Sequence, residues 1–387
     1  MPTTPQPIET SYNRSVSTKS DYSFISWVRI IAMFSIVAVH CITFPSPSSK
    51  LPIHAQANFP LFSLMTSDQA TYLLVLEQCM RFGTLIFFMV SGFLVGVTLD
   101  NSSAWEYYKR RMNTIAIPFV IAFSLYCLYF LKSIFINIIL GNTTPDLFYS
   151  TIDKVGLYLI YTPYWFIPTY FFSLAILLIL RRHLLKPWLG IVLVSINLFY
   201  AFNVHLKWIE PRHSQAAIGF ILYLWLGYII ARTDAISRSL ALVSNSVLLG
   251  ITILVFGVSL LEVYSLYSAG AWDPVNSLRL SNQLFAISLF FLLARNNYMH
   301  RLRFIKPRTE SFGIYLYHMF FLVIVVRVLD YFPWLHQFNY QSTYSGFTLV
   351  LLSLARGILV LTLTLIFVKI LAASRFRWLI GLHQVRQ

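Results

Sequence analysis

Ten long apolar runs, separated mostly by short polar loops, constrain the fold of this chain more than any other feature. A helix needs about 20 apolar residues to cross the hydrocarbon of a bilayer, whereas membrane β-strands alternate apolar and polar residues over about ten positions. The runs are continuous, so they predict an all-α, polytopic transmembrane helical bundle of about ten spans. The predicted spans are 24–44, 82–99, 112–131, 164–180, 188–202, 216–231, 242–264, 280–293, 313–329 and 347–371.

The composition agrees with a membrane protein. Charged residues make up 11% of the chain, about half the fraction of a soluble domain. The net charge of +15 would suit a nucleic-acid partner in a soluble protein, but cytoplasmic loops of membrane proteins also collect Lys and Arg. We therefore expect membrane lipid, and no nucleic acid, around this chain. The three cysteines lack the spacing of a metal site, so no metal or disulfide framework is predicted.

The distribution of positive charge predicts the orientation of the bundle. Most of the 29 Lys and Arg residues fall in the loops and termini on one side of the span map. Because such residues concentrate in the cytoplasm, we expect both termini there. The chain then divides into a polar tail over 1–23, a membrane domain over 24–372 and a basic tail over 373–387.

The first span carries two side chains that lipid does not favour, Arg29 and His40. They are eleven residues apart, which returns both to nearly one face of a helix and separates them by about 16 Å along its axis. Arg29 alone could snorkel to the headgroups, and His40 alone could make a structural hydrogen bond. The pair on one face instead favours a polar site inside the membrane.

Further cations lie at span boundaries and inside the last span. Arg110 and Arg111 precede the third span, where a basic flank is also what the topology alone requires. Arg356 lies deep in the last run, where a lone charge is costly. We expect Arg356 to face the bundle interior and to pair with Glu262 or with a bound anion.

Other polar and aromatic residues allow both a functional and a structural interpretation. Tyr315 and His318 lie three residues apart on the ninth span, where a histidine is often a structural hydrogen-bond donor. Trp165 opens the fourth span and could anchor it at the membrane interface. Glu210 falls in an outward loop, where most polar residues are simply solvated.

Several motifs, taken in order, resemble the membrane acyltransferase-3 family, bacterial enzymes that O-acylate surface and secreted glycans. They are Arg29 and His40 in the first span, Arg81 before FFMVSGFL with Ser91, KRRMNTIAIP with Arg110 and Arg111, Trp165-Phe166, the LGY at 226–228, and IYLYH with Tyr315 and His318. Thr114 stands where the family often has a second arginine three residues after the position of Arg111.

The resemblance implies an acyltransferase in the bacterial cytoplasmic (inner) membrane with no bound cofactor. Acyl-CoA, with acetyl-CoA preferred, would be the donor, held by Arg29, Arg110 and Arg111. His40, with Arg29, would be catalytic, as general base or acyl relay. Ser91 would orient the acyl carbonyl or line the passage, and Arg81 and Glu210 would lie near the outer mouth. The acceptor would be O-antigen or another lipid-linked polysaccharide, with a small secreted glycan as second choice.

A transporter or flippase for an anionic or glycan substrate is the rival interpretation. Intramembrane Arg and His residues and a basic cytoplasmic mouth would suit it. Transporters often carry internal repeats, and the two halves of this chain show no convincing similarity. A purely structural bundle would leave Arg29, His40 and Arg356 unexplained.

Overall fold

The computed structural model describes residues 23–42, 65–101, 103–132, 136, 139–140, 145–233, 242–271, 273–298, 304–332 and 344–382. Within these ranges the chain forms twelve α-helices and no β-strand, which confirms the all-α prediction. The helices are α1 Ser23–Cys41, α2 Ser67–Met80, α3 Gly83–Thr98, α4 Ala104–Phe130, α5 Pro145–Tyr161, α6 Phe166–Ile179, α7 Pro187–Leu206, α8 Ile221–Arg232, α9 Asn245–Ser268, α10 Leu280–Arg295, α11 Pro307–Tyr331 and α12 Gly346–Ala373.

Seven helical segments in the described residues are long and apolar enough to cross a membrane. They are α1, the continuous unit of α2 and α3, α4, α7, α9, α11 and α12. The bent pair of α5 and α6 makes an eighth if it is one span. Helices α8 and α10 are apolar but shorter. Each predicted run therefore contains a described helix, while seven or eight spans meet the length criterion.

Helix α2 occupies residues that we expected in an outward loop. Thr66 and Gln69 form a capping box at its start, which satisfies two backbone N–H groups. Leu73 and Leu74 on α2 are fully buried, and the Ser35 hydroxyl of α1 donates to the carbonyl of Met80 at 2.5 Å. Packing and capping therefore stabilise a helix over residues that are only mildly apolar.

The fourth predicted span begins at a sharp break. Helices α5 and α6 meet at an angle of 80° around Thr162 and Pro163. Pro163 has no N–H to continue the helix, and Thr162 donates to the carbonyl of Tyr158 at 2.6 Å while accepting from the N–H of Tyr164. The break therefore turns the chain into α6 without leaving its polar groups unsatisfied.

Helices α3 and α8 cross at backbone contact. A Cβ added to Gly92 would lie 1.8 Å from the Leu224 carbonyl oxygen, and one added to Gly227 would lie 1.9 Å from that of Met89. Small residues allow such approach between membrane helices. The glycines of the SGF and LGY motifs thus fix helix packing and do not carry chemistry.

Two sets of contacts join the helix ends on opposite sides of the bundle. The inner end, as we call the side where α1, α4 and α11 begin, is joined by Asn297 to Ser23, Arg232 to Asp100 and Lys369 to Glu310. The outer end is joined by Asp68 to the N–H of Gly346 and by Glu262 to His205. Consecutive spans therefore alternate in direction, as the sequence map requires.

Part of the predicted C-terminal tail packs against the bundle. A short 3₁₀ helix at Arg377–Ile380 follows α12, and Ile380 is buried. The Tyr317 hydroxyl of α11 donates to the carbonyl of Leu379 at 3.2 Å. The predicted tails are 1–23 and 373–387, and residues 1–22 and 383–387 of them lie outside the described residues.

Candidate functional site

Three arginines from three helices converge at the inner end. Arg29 of α1 lies within electrostatic range of Arg111 of α4 and of Arg308 of α11, and both charges repel it. In the part of the chain that the structure describes, none of the three forms an ion pair with a carboxylate. A concentration of uncompensated guanidinium charge is suited to binding an anion, and its fork geometry matches phosphate oxygens.

Two buried tyrosines support this arginine cluster. Tyr107, one turn before Arg111 on α4, is fully buried and its hydroxyl accepts from Nε of Arg111 at 3.0 Å. The Arg111 guanidinium also lies 5.3 Å from the Tyr107 ring centroid, within cation–π range. Tyr170 of α6 is buried beside both Arg29 and Arg111. These contacts hold Arg111 in one orientation before any ligand binds.

Arg110 and Arg111, predicted as a pair, have different surroundings. Arg110 is exposed, lies near Glu106 and has its guanidinium 5.4 Å from the Tyr107 ring centroid. Arg111 is the member of the pair that lies beside Arg29. A rotation of about 100° per residue separates neighbours on a helix, so only one of them can face the cluster.

Two imidazoles meet deeper in the bundle. The ring centroids of His40 on α1 and His318 on α11 are 5.6 Å apart, with the ring planes at 34°. His318 is fully buried, and its Nδ1 lies 2.7 Å from the carbonyl oxygen of Tyr315. Because that oxygen only accepts, Nδ1 carries a proton, and in the neutral imidazole Nε2 is then the acceptor. Nε2 is buried and has no hydrogen-bond partner among the described residues.

Tyr315 ties helix α11 to the break between α5 and α6. Its hydroxyl donates to the carbonyl of Pro163, and the Tyr164 hydroxyl donates back to the carbonyl of Leu316 at 3.0 Å. The two bonds are reciprocal and buried. They hold the break against the helix that carries His318.

Trp165 lies inside the bundle and not at an interface. It is buried in the break, with its ring centroid 5.2 Å from that of Phe220. The ring centroid of its neighbour Phe166 lies 5.5 Å from that of Tyr315. The Tyr315 ring centroid in turn lies 6.1 Å from that of His318. Trp165 therefore belongs to an aromatic wall that continues to the imidazole pair.

Arg356 lies within electrostatic range of Cys41, the residue that follows His40 on α1. Glu262, the carboxylate that we proposed as its partner, binds His205 at 2.8 Å and lies 3.7 Å from Arg279 at the outer end. Glu262 is thus engaged by other side chains at the outer end, and a bound anion, the other partner expected for Arg356, stays a prediction.

The remaining predicted site residues are engaged elsewhere. Arg81 forms an ion pair with Glu77 at 2.6 Å, and exposed Glu210 pairs with Arg212 at 2.9 Å. The Ser91 hydroxyl donates to the carbonyl of Phe87, one turn earlier on α3, at 2.8 Å. These three side chains are thus committed to partners in their own part of the chain.

Arg308, Tyr107 and Tyr170 belong to the candidate site but fall outside the motifs found in the sequence. Arg308 precedes His318 by ten residues, much as Arg29 precedes His40 by eleven. This repeated spacing from arginine to histidine is a sequence pattern that could have identified Arg308. Nothing local in the sequence marks the two tyrosines, because their role depends on which helices pack together.

The comparisons with known proteins give one match. The sequence model of a family described as an acyltransferase domain matches residues 22–372, from the start of α1 almost to the end of α12. No curated protein and no solved structure matches the chain.

Proposed function

Because the chain belongs to the acyltransferase-3 family, we propose that it transfers an acyl group, with acetyl preferred, from cytoplasmic acyl-CoA to a hydroxyl of a surface or lipid-linked glycan. Family membership makes it a membrane acyltransferase; the donor and acceptor are our proposal. The observation that supports it best is the pair of sites on one helix. Arg29 belongs to an arginine cluster, and farther along the same helix His40 lies beside the imidazole of His318 on α11.

The spacing of these two sites suits an acyl-CoA. The guanidinium groups of Arg29 and Arg111 would hold the phosphates at the inner end. Arg29 and His40 are separated by about 16 Å along the helix axis. A pantetheine arm, extended at the reach per bond of a polypeptide, is roughly 15 Å long. Phosphates at the cluster would therefore place the thioester carbonyl near His40.

The transfer step follows from the imidazole pair. His40, as general base, takes the proton from the acceptor hydroxyl while that oxygen attacks the thioester carbonyl. The carbon–sulfur bond breaks, and the departing thiolate takes the proton from His40 to give free CoA. The unprotonated Nε2 of His318 can accept a hydrogen bond within this site. Arg356 would offset the negative charge on the carbonyl oxygen of the tetrahedral intermediate.

The proposed acceptor and location follow the family. We place the protein in the bacterial inner membrane, where cytoplasmic acyl-CoA and lipid-linked glycans are both within reach. O-antigen or another lipid-linked polysaccharide is the preferred acceptor, and a small secreted glycan is the second choice. A transporter would need no general base, and the family match also favours acyl transfer over transport.

The decisive experiment measures the O-acetyl content of the cell-surface polysaccharide by proton NMR. We would compare a strain lacking this chain with strains restored by wild type, His40→Ala or His183→Ala. His183 is an exposed histidine at the inner end, outside both clusters, and is the matched control. We expect acetyl signals to vanish in the deletion strain and to return with wild type and His183→Ala only.

Two outcomes would contradict the proposal. Full acetylation with His40→Ala, at normal protein levels in the membrane, would remove His40 from the mechanism. A glycan of unchanged composition but altered surface amount in the deletion strain would favour the transporter.

A further inference from the structure

We infer that Arg308 is a third phosphate-binding residue of the donor site, and that the site is built for a donor with several phosphate charges. This inference rests on the proposed function. The sequence motifs do not include Arg308, which lies in the first turn of α11.

The relative register of helices α1 and α11 places Arg308 at the level of Arg29. Helices α1 and α11 pack against each other and both begin at the inner end. Their imidazoles meet at 5.6 Å, which sets a common level for His40 and His318. Arg29 lies eleven residues before the first and Arg308 ten residues before the second, so both fall about 15–16 Å toward the inner end. The two helices therefore present an arginine and a histidine at matching levels.

The surroundings of Arg308 leave its charge available. Its side chain is exposed at the inner end, whereas Arg29 and Arg111 are partly buried. Glu310 is the nearest carboxylate in sequence. One of its oxygens pairs with Lys369 at 3.1 Å, and the other accepts from the N–H of Lys306 at 2.9 Å. Glu310 is thus occupied, and Arg308 adds its charge to the arginine cluster.

Three guanidinium groups select for the number of charges on the donor. A single phosphodiester could neutralise one of them and would leave the others repelling each other. A diphosphate with a further phosphate, as in CoA, supplies a charge for each. We therefore expect the cluster to distinguish acyl-CoA from an acylated pantetheine without its nucleotide, and Arg308 to contribute to that difference.

The test is calorimetric binding to the full chain in lipid nanodiscs, which needs no acceptor. The ligands are acetyl-CoA and S-acetylpantetheine, and the variants are Arg308→Ala, Arg308→Lys and Arg182→Ala. Arg182 is an exposed arginine at the inner end, outside the cluster, and serves as the matched control. Loss of one charge-assisted contact should raise the Kd for acetyl-CoA roughly 10-fold or more.

The expected pattern separates a binding role from a structural one. Arg308→Ala should weaken the binding of acetyl-CoA and leave the Kd for S-acetylpantetheine unchanged. Arg308→Lys should retain part of the affinity for acetyl-CoA, and Arg182→Ala should bind both ligands as wild type does. If Arg308→Ala weakened the binding of both ligands equally, or of neither, the inference would be overturned. Failure of the wild-type chain to bind acetyl-CoA would instead reject the proposed donor, so the two failures are distinguishable.

Discussion

Arg279 carries a guanidinium group into the bundle interior and orders the outer end around it. It is fully buried, donates to the carbonyls of Asn276 at 3.2 Å and Ser259 at 3.1 Å, and binds the amide oxygen of Gln78. Glu262 supplies the compensating charge at 3.7 Å. Burying a charge is tolerated only with such partners. This network joins α2, α9 and the turn before α10.

Removing the carboxylate of Glu262 should be strongly destabilising. Glu262→Ala leaves the buried Arg279 guanidinium without the carboxylate that lies 3.7 Å from it, and we expect the free energy of unfolding to fall by about 3 kcal/mol. Glu210→Ala removes an exposed partner of Arg212 and should cost less than about 1 kcal/mol. Denaturant unfolding of the purified chain in detergent measures both. Equal losses would mean that burial of the ion pair does not set its contribution.

The two neighbouring arginines of α4 should differ in donor binding. Arg111 lies in the cluster and is oriented by Tyr107, whereas Arg110 is exposed. We expect Arg111→Ala to raise the Kd for acetyl-CoA roughly 10-fold or more, and Arg110→Ala to raise it less than about 3-fold. The nanodisc binding assay measures both values. Comparable effects at the two positions would restore the prediction from the sequence that both arginines hold the donor.

Some residues of the candidate site could be predicted and others could not. Arg29 and His40 lie on one helix, so helical periodicity alone puts them on one face. Arg308 required the relative register of α1 and α11, and the choice of Arg111 over Arg110 required the rotation of α4. Glu262 seemed a natural partner for Arg356 until tertiary packing placed it beside Arg279. Such relations between helices are not encoded in local patterns.

Because α3 and α8 approach each other closely, we expect that adding one methyl group at their contact destabilises the protein. Gly92→Ala would place Cβ 1.8 Å from the Leu224 carbonyl oxygen, so the helices must separate. We expect a loss of about 3 kcal/mol in the free energy of unfolding. Gly250→Ala on α9 is the control, because nothing lies within 4 Å of its added Cβ. That change should stabilise the helix by about 0.5–1 kcal/mol.

Hydropathy predicted the helices that cross the bundle but not all helical elements. The runs were continuous enough to mark α1, α4 and α12. The helix α2 was missed because its formation depends on the Thr66 capping box and on contacts with other helices. The residues of α5 lie between two predicted spans, and no apolar pattern there indicates the 80° bend at Pro163. Local chemistry at Thr162 and Pro163 explains the bend once α6 is in place.

The alternating directions of the spans predict which positions face each compartment. Trp105 at the start of α4 should be cytoplasmic, while Trp208 after α7 and Tyr331 at the end of α11 should face outward; all three are exposed. Single cysteines at these positions, in a background without Cys41, Cys79 and Cys127, would be tested with a membrane-impermeant maleimide. Positions 208 and 331 should react in intact spheroplasts and 105 only after lysis. Labelling of 105 in intact spheroplasts would reverse the predicted orientation.

The distance between the arginine cluster and the imidazole pair sets a depth for the reaction. About 16 Å from one surface is half of a hydrocarbon core of roughly 30 Å, so the proposed donor delivers its acyl group at the bilayer midplane. An acceptor arriving from the opposite surface must descend a comparable distance. Only the tip or a short side branch of a glycan can do so, whereas an internal sugar of a polymer lying flat on the membrane cannot. The architecture would therefore restrict acylation to sugars that can be threaded inward, whatever their identity.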